Sequence, residues 1–206
     1  MRDRIVDELG DLPRSRFLVY LMGPYEAFDI ERALETGDPQ TVPESVDFGT
    51  LTGADHDLER DEATVDLLLH ARDQLRTSTG VNAFLAIDVD VSLSELDAAS
   101  QSIAFARASN AVVYVVPAVG DNLGVGIEVG SVLEALYAEE AADHRRERVL
   151  FVHESGVRSA MIAAVRDRWE ARVYTYDDRS ELVRQLRLFV RDLVRKERTG
   201  ELPHLE

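Results

Sequence analysis

Five short apolar runs punctuate this chain, each separated from the next by a stretch with helical spacing. RFLVYLM (16–22), NAFLAIDV (82–89), AVVYVV (111–116), RVLFV (148–152) and RVYTY (172–176) have the length and β-branched content of strands. Most of these runs are continuously apolar rather than alternating, so they need cover on both faces, the condition of a parallel sheet between helix layers. The intervening segments supply that cover. Asp61–Ser78 sets Val65, Leu68, Leu69, Arg72 and Leu75 at helical spacing, with acidic residues in its first turn. Ser94–Ser109 opens on a capping-type serine, Ser92 or Ser94, with Asp97 three residues after the latter. Leu123–Ala142, Ser159–Trp169 and Arg179–Lys196 complete the helical set.

The expected fold is therefore α/β: a three-layer, doubly wound, flavodoxin- or Rossmann-like sheet of five parallel strands. At 206 residues the chain reads as a single domain over 1–206. Gly37, Pro39, Pro43, Gly49 and Gly53 mark a loop-rich insertion at about 26–58.

Composition closes off several chemistries. There is no cysteine, so disulfide scaffolds, thiol catalysis and cysteine-ligated zinc are excluded. The histidines at 56, 70, 144, 153 and 204 have no HxH or HxxxH spacing. Neither a metal nor any other cofactor is expected. Net charge is −16, and Lys196 is the one lysine among 23 basic residues. An acidic surface in which arginine nearly replaces lysine resembles proteins from salt-loving archaea, where salt screens the self-repulsion. The same field argues against nucleic acid as a partner. No apolar run approaches the roughly 20 residues of a membrane helix, and MRDRIVDELG lacks a signal-peptide core. The expectation is a cytoplasmic protein without a membrane partner.

In a doubly wound sheet, ligands sit at the carboxyl ends of the strands near the point where strand order reverses. Three segments are expected there: the turn after the first strand, the end of the second (IDVD), and GDNLGVGIE after the third. Glycines at 120, 124 and 126 let backbone N–H groups approach a ligand where a helix begins. Glu128 falls in the first or second turn of that helix. Two readings are open at this stage: a cleft-facing carboxylate that acts as nucleophile or electrostatic partner, or an ordinary acid near a helix start. Asp88 and Asp90 sit two apart on one strand, so alternation points them to the same side. They are either ribose-hydroxyl ligands or solvated acids. Tyr25 and Phe28 are either base-stacking aromatics or packing plugs.

GVGIEVG (124–130), after a hydrophobic strand and an acidic loop, resembles the glycine–glutamate signature of nucleoside 2-deoxyribosyltransferases and related N-glycosidases. VYLMGPY (19–25) is similar to that family's I-Y-L-A-G-P-F opening. The resemblance spans roughly residues 16 to 155 and rests on these two motifs. It implies that Glu128 attacks the anomeric carbon with Tyr20 near the nucleophile, and that the loop position is served by Asp121, or by Asn122 in its place as a ligand-orienting amide. From the residues alone, Tyr20 equally reads as a core aromatic whose hydroxyl finds a partner. Together with the strand-end and glycine readings, substrate contacts are expected from Gly23, Pro24, Tyr25, Asp88, Asp90, Asn122, Gly124 and Gly126. The partner is then a small-molecule nucleoside or nucleotide, and the subunits complete each other's sites in a homo-oligomer, a dimer or larger.

The chain departs from that pattern in two places. Ser102 and Asn110 stand where the family often has aspartates, and a serine is no general acid at neutral pH. The family's six-residue spacing back from Glu128 lands on Asn122, with Asp121 one place further. Three functions follow: cleavage or exchange of an N-glycosidic bond, a nucleotide-binding sensor of the same fold that has lost the chemistry, or a structural partner with helix 123–138 in an interface. The base, the sugar, any need for a 5′-phosphate, and the choice between transfer and hydrolysis are not written in the sequence.

Overall fold

All six residues of AVVYVV are buried, and they form the middle strand of the sheet. The computed structural model describes residues 1–23, 58–92, 94–118, 122–138, 142–157, 162, 166–167 and 169–205. In chain order the elements are α1 (Arg2–Leu9), β1 (Arg14–Met22), α2 (Leu58–Thr79), β2 (Val81–Phe84) and a 3-10 turn at Ala86–Asp88. There follow α3 (Ala98–Ala108), β3 (Ala111–Val116), α4 (Asn122–Tyr137), α5 (Ala142–Arg146), β4 (Val149–Glu154), β5 (Arg172–Tyr176) and α6 (Arg179–Thr199). The strands lie in the order β2-β1-β3-β4-β5, and every neighbouring pair is parallel. This is the expected doubly wound sheet with flavodoxin-like strand order.

Strand alternation divides the core in two. Val19, Leu21, Val113, Val115, Leu150 and Val152 face one side, where Leu68, Ala71 and Leu75 of α2 meet Leu186, Phe189 and Leu193 of α6. Leu18, Tyr20, Met22, Val112 and Tyr114 face the other, covered by Phe105 of α3, by Val129, Val132, Leu133 and Leu136 of α4, and by Ile5 of α1. Both faces are therefore apolar along the same strands, which is why these runs do not alternate.

Several boundaries differ from the sequence expectation, each for a local reason. The second strand stops at Phe84 rather than Val89, because Asp88 turns back to accept the Leu85 N–H at 2.9 Å. Helix α3 starts at Ala98 because Asp97, not a serine, is the cap; its carboxylate accepts the Ser100 N–H at 3.0 Å. The helix expected over 123–142 ends at Tyr137, and Ala142–Arg146 forms a separate turn of helix. β4 runs two residues past Val152, to Glu154. α6 is capped by Asp178, which accepts the Glu181 N–H at 2.9 Å, and closes on Gly200 at φ 76. On the solvated face of α6, Arg184 pairs with Glu181, and Arg195 with Asp192 and with Glu201 just beyond the helix end. The helix expected over 159–169 falls largely outside the described residues.

Three of these carboxylates make the fold acid-sensitive. Hydrogen bonds from Ser100 hold Asp97 below the usual carboxylate range, and those from Ser180 and Glu181 do the same for Asp178. At Asp192 burial opposes the charge, but hydrogen bonds from Arg172 and Arg195 and the charge of Lys196 outweigh it. A carboxyl depressed in the folded state contributes stability above its unfolded value and loses it as pH falls through the folded one. The urea midpoint is therefore expected to hold between pH 7 and 5 and to drop below about pH 4. Asp192→Asn should lower stability at pH 7 and flatten part of that drop.

The amino-terminal edge of the sheet is tied by a buried polar network. Asn110 accepts the Leu18 N–H at 3.0 Å and donates to Glu197 at 2.8 Å, while Glu197 pairs with Arg148 at 2.5 Å. Among the described residues, no helix is long and apolar enough to cross a membrane.

Candidate functional site

Strand order reverses at β1, with β2 on one side and β3 on the other. The chain leaves β1 toward α2, on one face, and leaves β3 toward α4, on the opposite face. Two neighbouring strands whose exits diverge in this way open a crevice between their carboxyl ends. Met22 and Tyr114 are paired at that edge.

Gly23 is the first residue beyond β1. A Cβ built on it falls 2.8 Å from Leu68 Cδ1 and 3.1 Å from Cδ2. Leu68 is fully buried, so the bare backbone at Gly23 is what lets α2 pack against the strand end. Gly23→Ala is expected to cost about 1–3 kcal/mol through overpacking, measured by urea unfolding, and Leu68→Val should recover part of it.

On the other wall, helix α4 begins at Asn122 and places Gly124 in its first turn, with Gly126 and Glu128 in the second. The unpaired N–H groups and most of the helix-dipole effect belong to the first turn, so Glu128 stands just past the strongest field. Val129, Val132, Leu133 and Leu136 are buried against the sheet and fix the rotation of the helix. Position 128 is about 100° from Val129 around the axis. It shares a flank with Ala135, whose carbonyl accepts from Arg107 of α3 at 3.3 Å. Pro24, Tyr25 and Asp121, like Phe28, lie outside the described residues. So do the side-chain surroundings of Asn122, Gly124, Gly126 and Glu128.

Tyr20 sits two residues before the end of β1, on the same face of the sheet as α3 and α4. It is fully buried, stacked on Phe84 at 5.1 Å and edge-on to Phe105 at 5.6 Å. Its ring is thus a core aromatic beneath the crevice, packed with an edge-to-face and a stacked neighbour.

Asp88 and Asp90 do not share one side of a strand, because the strand has ended and Ala86–Asp88 is a 3-10 turn. Asp88 faces α2, ion-paired with Arg72 and 4.0 Å from Arg76. Burial pushes the Arg76 guanidinium down, and the Asp88 charge only partly offsets it. Asp90 is exposed at the β2 edge, where its N–H donates to Glu8 at 2.6 Å and its carbonyl accepts from Arg4. Both aspartates are held beside β2 by α1 and α2, not between β1 and β3.

The two serine-for-aspartate and asparagine-for-aspartate positions separate. Ser102 is buried on α3, one turn from Phe105 toward the carboxyl edge. Asn110 is at the opposite, amino-terminal edge, bonded to Leu18 and Glu197, and cannot reach the crevice. One polar residue at the carboxyl edge was not singled out from the sequence: Glu154, whose Oε2 accepts the Ala118 N–H at 2.8 Å. The apolar run RVLFV ends before it, which hid the last two residues of the strand.

A groove of about 620 Å³ lies elsewhere, lined by Arg2, Ile103, Arg107, Ala108 and Arg145 among others. Two of its arginines serve the end of α3: Arg2 donates to Ala108 O at 2.5 Å and Arg145 to Arg107 O at 3.3 Å. They complement the negative helix terminus there. Among the described residues, no group of three or more His, Asp or Glu is arranged to hold a metal ion.

Strand order and helix placement together define a doubly wound, flavodoxin-like α/β protein whose strand order reverses between β1 and β3, the place where folds of this class hold ligands. The chain belongs to the DUF7509 family, a domain of unknown function, whose model matches residues 2–206. No curated protein and no solved structure matches it significantly.

Proposed function

We propose that the chain cleaves or exchanges the N-glycosidic bond of a (deoxy)nucleoside or nucleotide, with Glu128 as nucleophile. The observation that carries this reading is the convergence of its two motifs. The first four residues of VYLMGPY close β1, and GVGIEVG lies in α4, which follows β3, so sequence segments about a hundred residues apart belong to elements on adjacent strands, as the reading requires. In the proposed reaction Glu128 attacks C1′ as the base departs, through an oxocarbenium-like transition state. The glycosyl-enzyme is then resolved by a second base, giving exchange, or by water, giving hydrolysis. Subunits of a homo-oligomer complete each other's sites in this reading. The net charge of −16 supports assay in concentrated salt.

A second reading, a nucleotide sensor without turnover, draws on the buried Ser102 and on the engagement of Asp88 by Arg72. One experiment separates the two. The protein is incubated in concentrated KCl with deoxynucleosides, ribonucleosides or their monophosphates, with and without a free acceptor base, and products are resolved by chromatography. Base release or exchange supports the enzyme. Thermal stabilisation by the same compounds without any product supports the sensor.

A further inference from the structure

We propose that Glu154 is a positioning residue for the crevice: its carboxylate holds the root of the segment that leads from β3 into α4. It thereby sets where the glycine-rich helix start stands relative to the end of β1. The consequence for turnover rests on the glycosyl-transfer reading above, whereas the positioning itself does not.

The last ladder pair between β3 and β4 is Val116 with His153. Beyond it Pro117 has no N–H to offer, so Ala118 carries the first backbone donor after the strand. That donor meets Glu154 Oε2 at 2.8 Å, a bond from a side chain that continues the strand pairing one step past the ladder. A carboxylate acceptor makes it stronger than an ordinary amide pair. The strand end that presents Glu154 is itself clamped. Glu154 is the Cα partner of Tyr176 on β5, and the Ser155 N–H donates to Tyr176 O at 2.8 Å. The Tyr176 ring is buried in the α2/α6 core, so the β5 side of this clamp is anchored. Burial first, and then the negative charge of Glu154, push the Tyr176 phenol up. Residues 117–121 connect β3 to Asn122, and Ala118 is the second of these five.

The test uses the full chain with Glu154→Gln, which keeps an acceptor, and Glu154→Ala, which removes it. Ala118→Pro deletes the donor from the other side without touching Glu154. Amide hydrogen exchange over residues 118–130 is the first readout. Glu154→Ala is expected to speed it by about 10-fold or more while β1 and β2 amides keep their rates, and Glu154→Gln should stay within about 3-fold of wild type. The second readout is base exchange or release. Glu154→Ala and Ala118→Pro should each lower kcat by about 10-fold or more with KM nearly unchanged, and Glu154→Gln should retain it.

Unchanged exchange in Glu154→Ala overturns the proposal, as does equal damage from Gln and Ala. If Glu154→Ala does not fold, Ala118→Pro decides by the same two readouts. If wild type shows no turnover on any nucleoside, the glycosyl-transfer reading fails, and hydrogen exchange alone upholds or removes the positioning role.

Discussion

Glu128→Gln is expected to reduce base release or exchange by at least about 10³-fold, because the amide cannot act as the nucleophile that splits the displacement into two steps. The substitution is nearly isosteric, and glutamine is about as good a helix former as glutamate. It lies in the second turn of α4, past the positions where the helix dipole most rewards a charge. The thermal midpoint is accordingly expected to stay close to that of wild type. A covalent readout sharpens the result. Wild-type protein quenched during turnover should carry the mass of one glycosyl group, and Glu128→Gln should carry none. Turnover by Glu128→Gln at the wild-type rate would remove Glu128 from the chemistry and, with it, the main support for N-glycosidic cleavage. A loss confined to KM would instead assign the residue to ground-state binding.

How much of this is legible in the sequence depends on the range of the interaction that decides each element. AVVYVV and RFLVYLM were readable because burial on both faces is written into the residues themselves. The long α6 was readable from its apolar stripe, and Leu182, Leu186, Phe189, Val190 and Leu193 are all buried. NAFLAIDV was misread past Phe84, because the turn there depends on Asp88 meeting Arg72, sixteen residues away and on another element. Helix α1 was missed for a similar reason. Eight residues make a marginal helix alone, and only Ile5 is buried, so its anchorage comes from Arg2 on Asn110 and Arg4 on Glu95.

The same division runs through the site. The glycine–glutamate segment and the Gly-Pro turn announce themselves by composition, and the topology brings their elements to adjacent strands. In sequence Asp88 is indistinguishable from a ligand-binding strand-end acid; its engagement by Arg72 and Arg76 is what sets it apart. Glu154 was invisible because a lone glutamate after an apolar run has meaning only once the opposite backbone donor is placed. Pairwise tertiary partners, rather than local pattern, decide which acids of an acidic protein are committed.

The largest stability effect is expected at the buried pair Arg148–Glu197, whose side chains are each 3% exposed. Arg148 leads into β4 and Glu197 is near the end of α6, so the pair joins the sheet to its covering helix. Its remaining hydrogen-bond capacity is well used. Arg148 donates to Asn110 O at 3.0 Å and to Pro203 O at 2.5 Å, and Glu197 accepts from Asn110 Nδ2 at 2.8 Å. The second oxygen of Glu197 lies 3.0 Å from His204 Nδ1. Arg148→Met leaves a buried carboxylate without its guanidinium, and Glu197→Leu leaves the reverse. Each is expected to lose about 3–5 kcal/mol in urea unfolding, since an uncompensated buried charge costs more than the pair contributes. For a chain of this size that corresponds to a fall in Tm of roughly 6–20 °C. The double variant removes both charges together and should recover most of the loss, though not all, because Asn110 Nδ2 is left without its acceptor. Salt separates this pair from the surface ones. Arg184–Glu181 and Arg195–Glu201 are exposed, so single substitutions there should matter little and less still in concentrated KCl. The deficit of Arg148→Met should persist in the same salt, because counterions do not reach a carboxylate enclosed by Asn110 and the tail at Pro203. A deficit that salt erases would mean that solvent enters the pair, and that the packing of the tail, not charge, is what Arg148 secures.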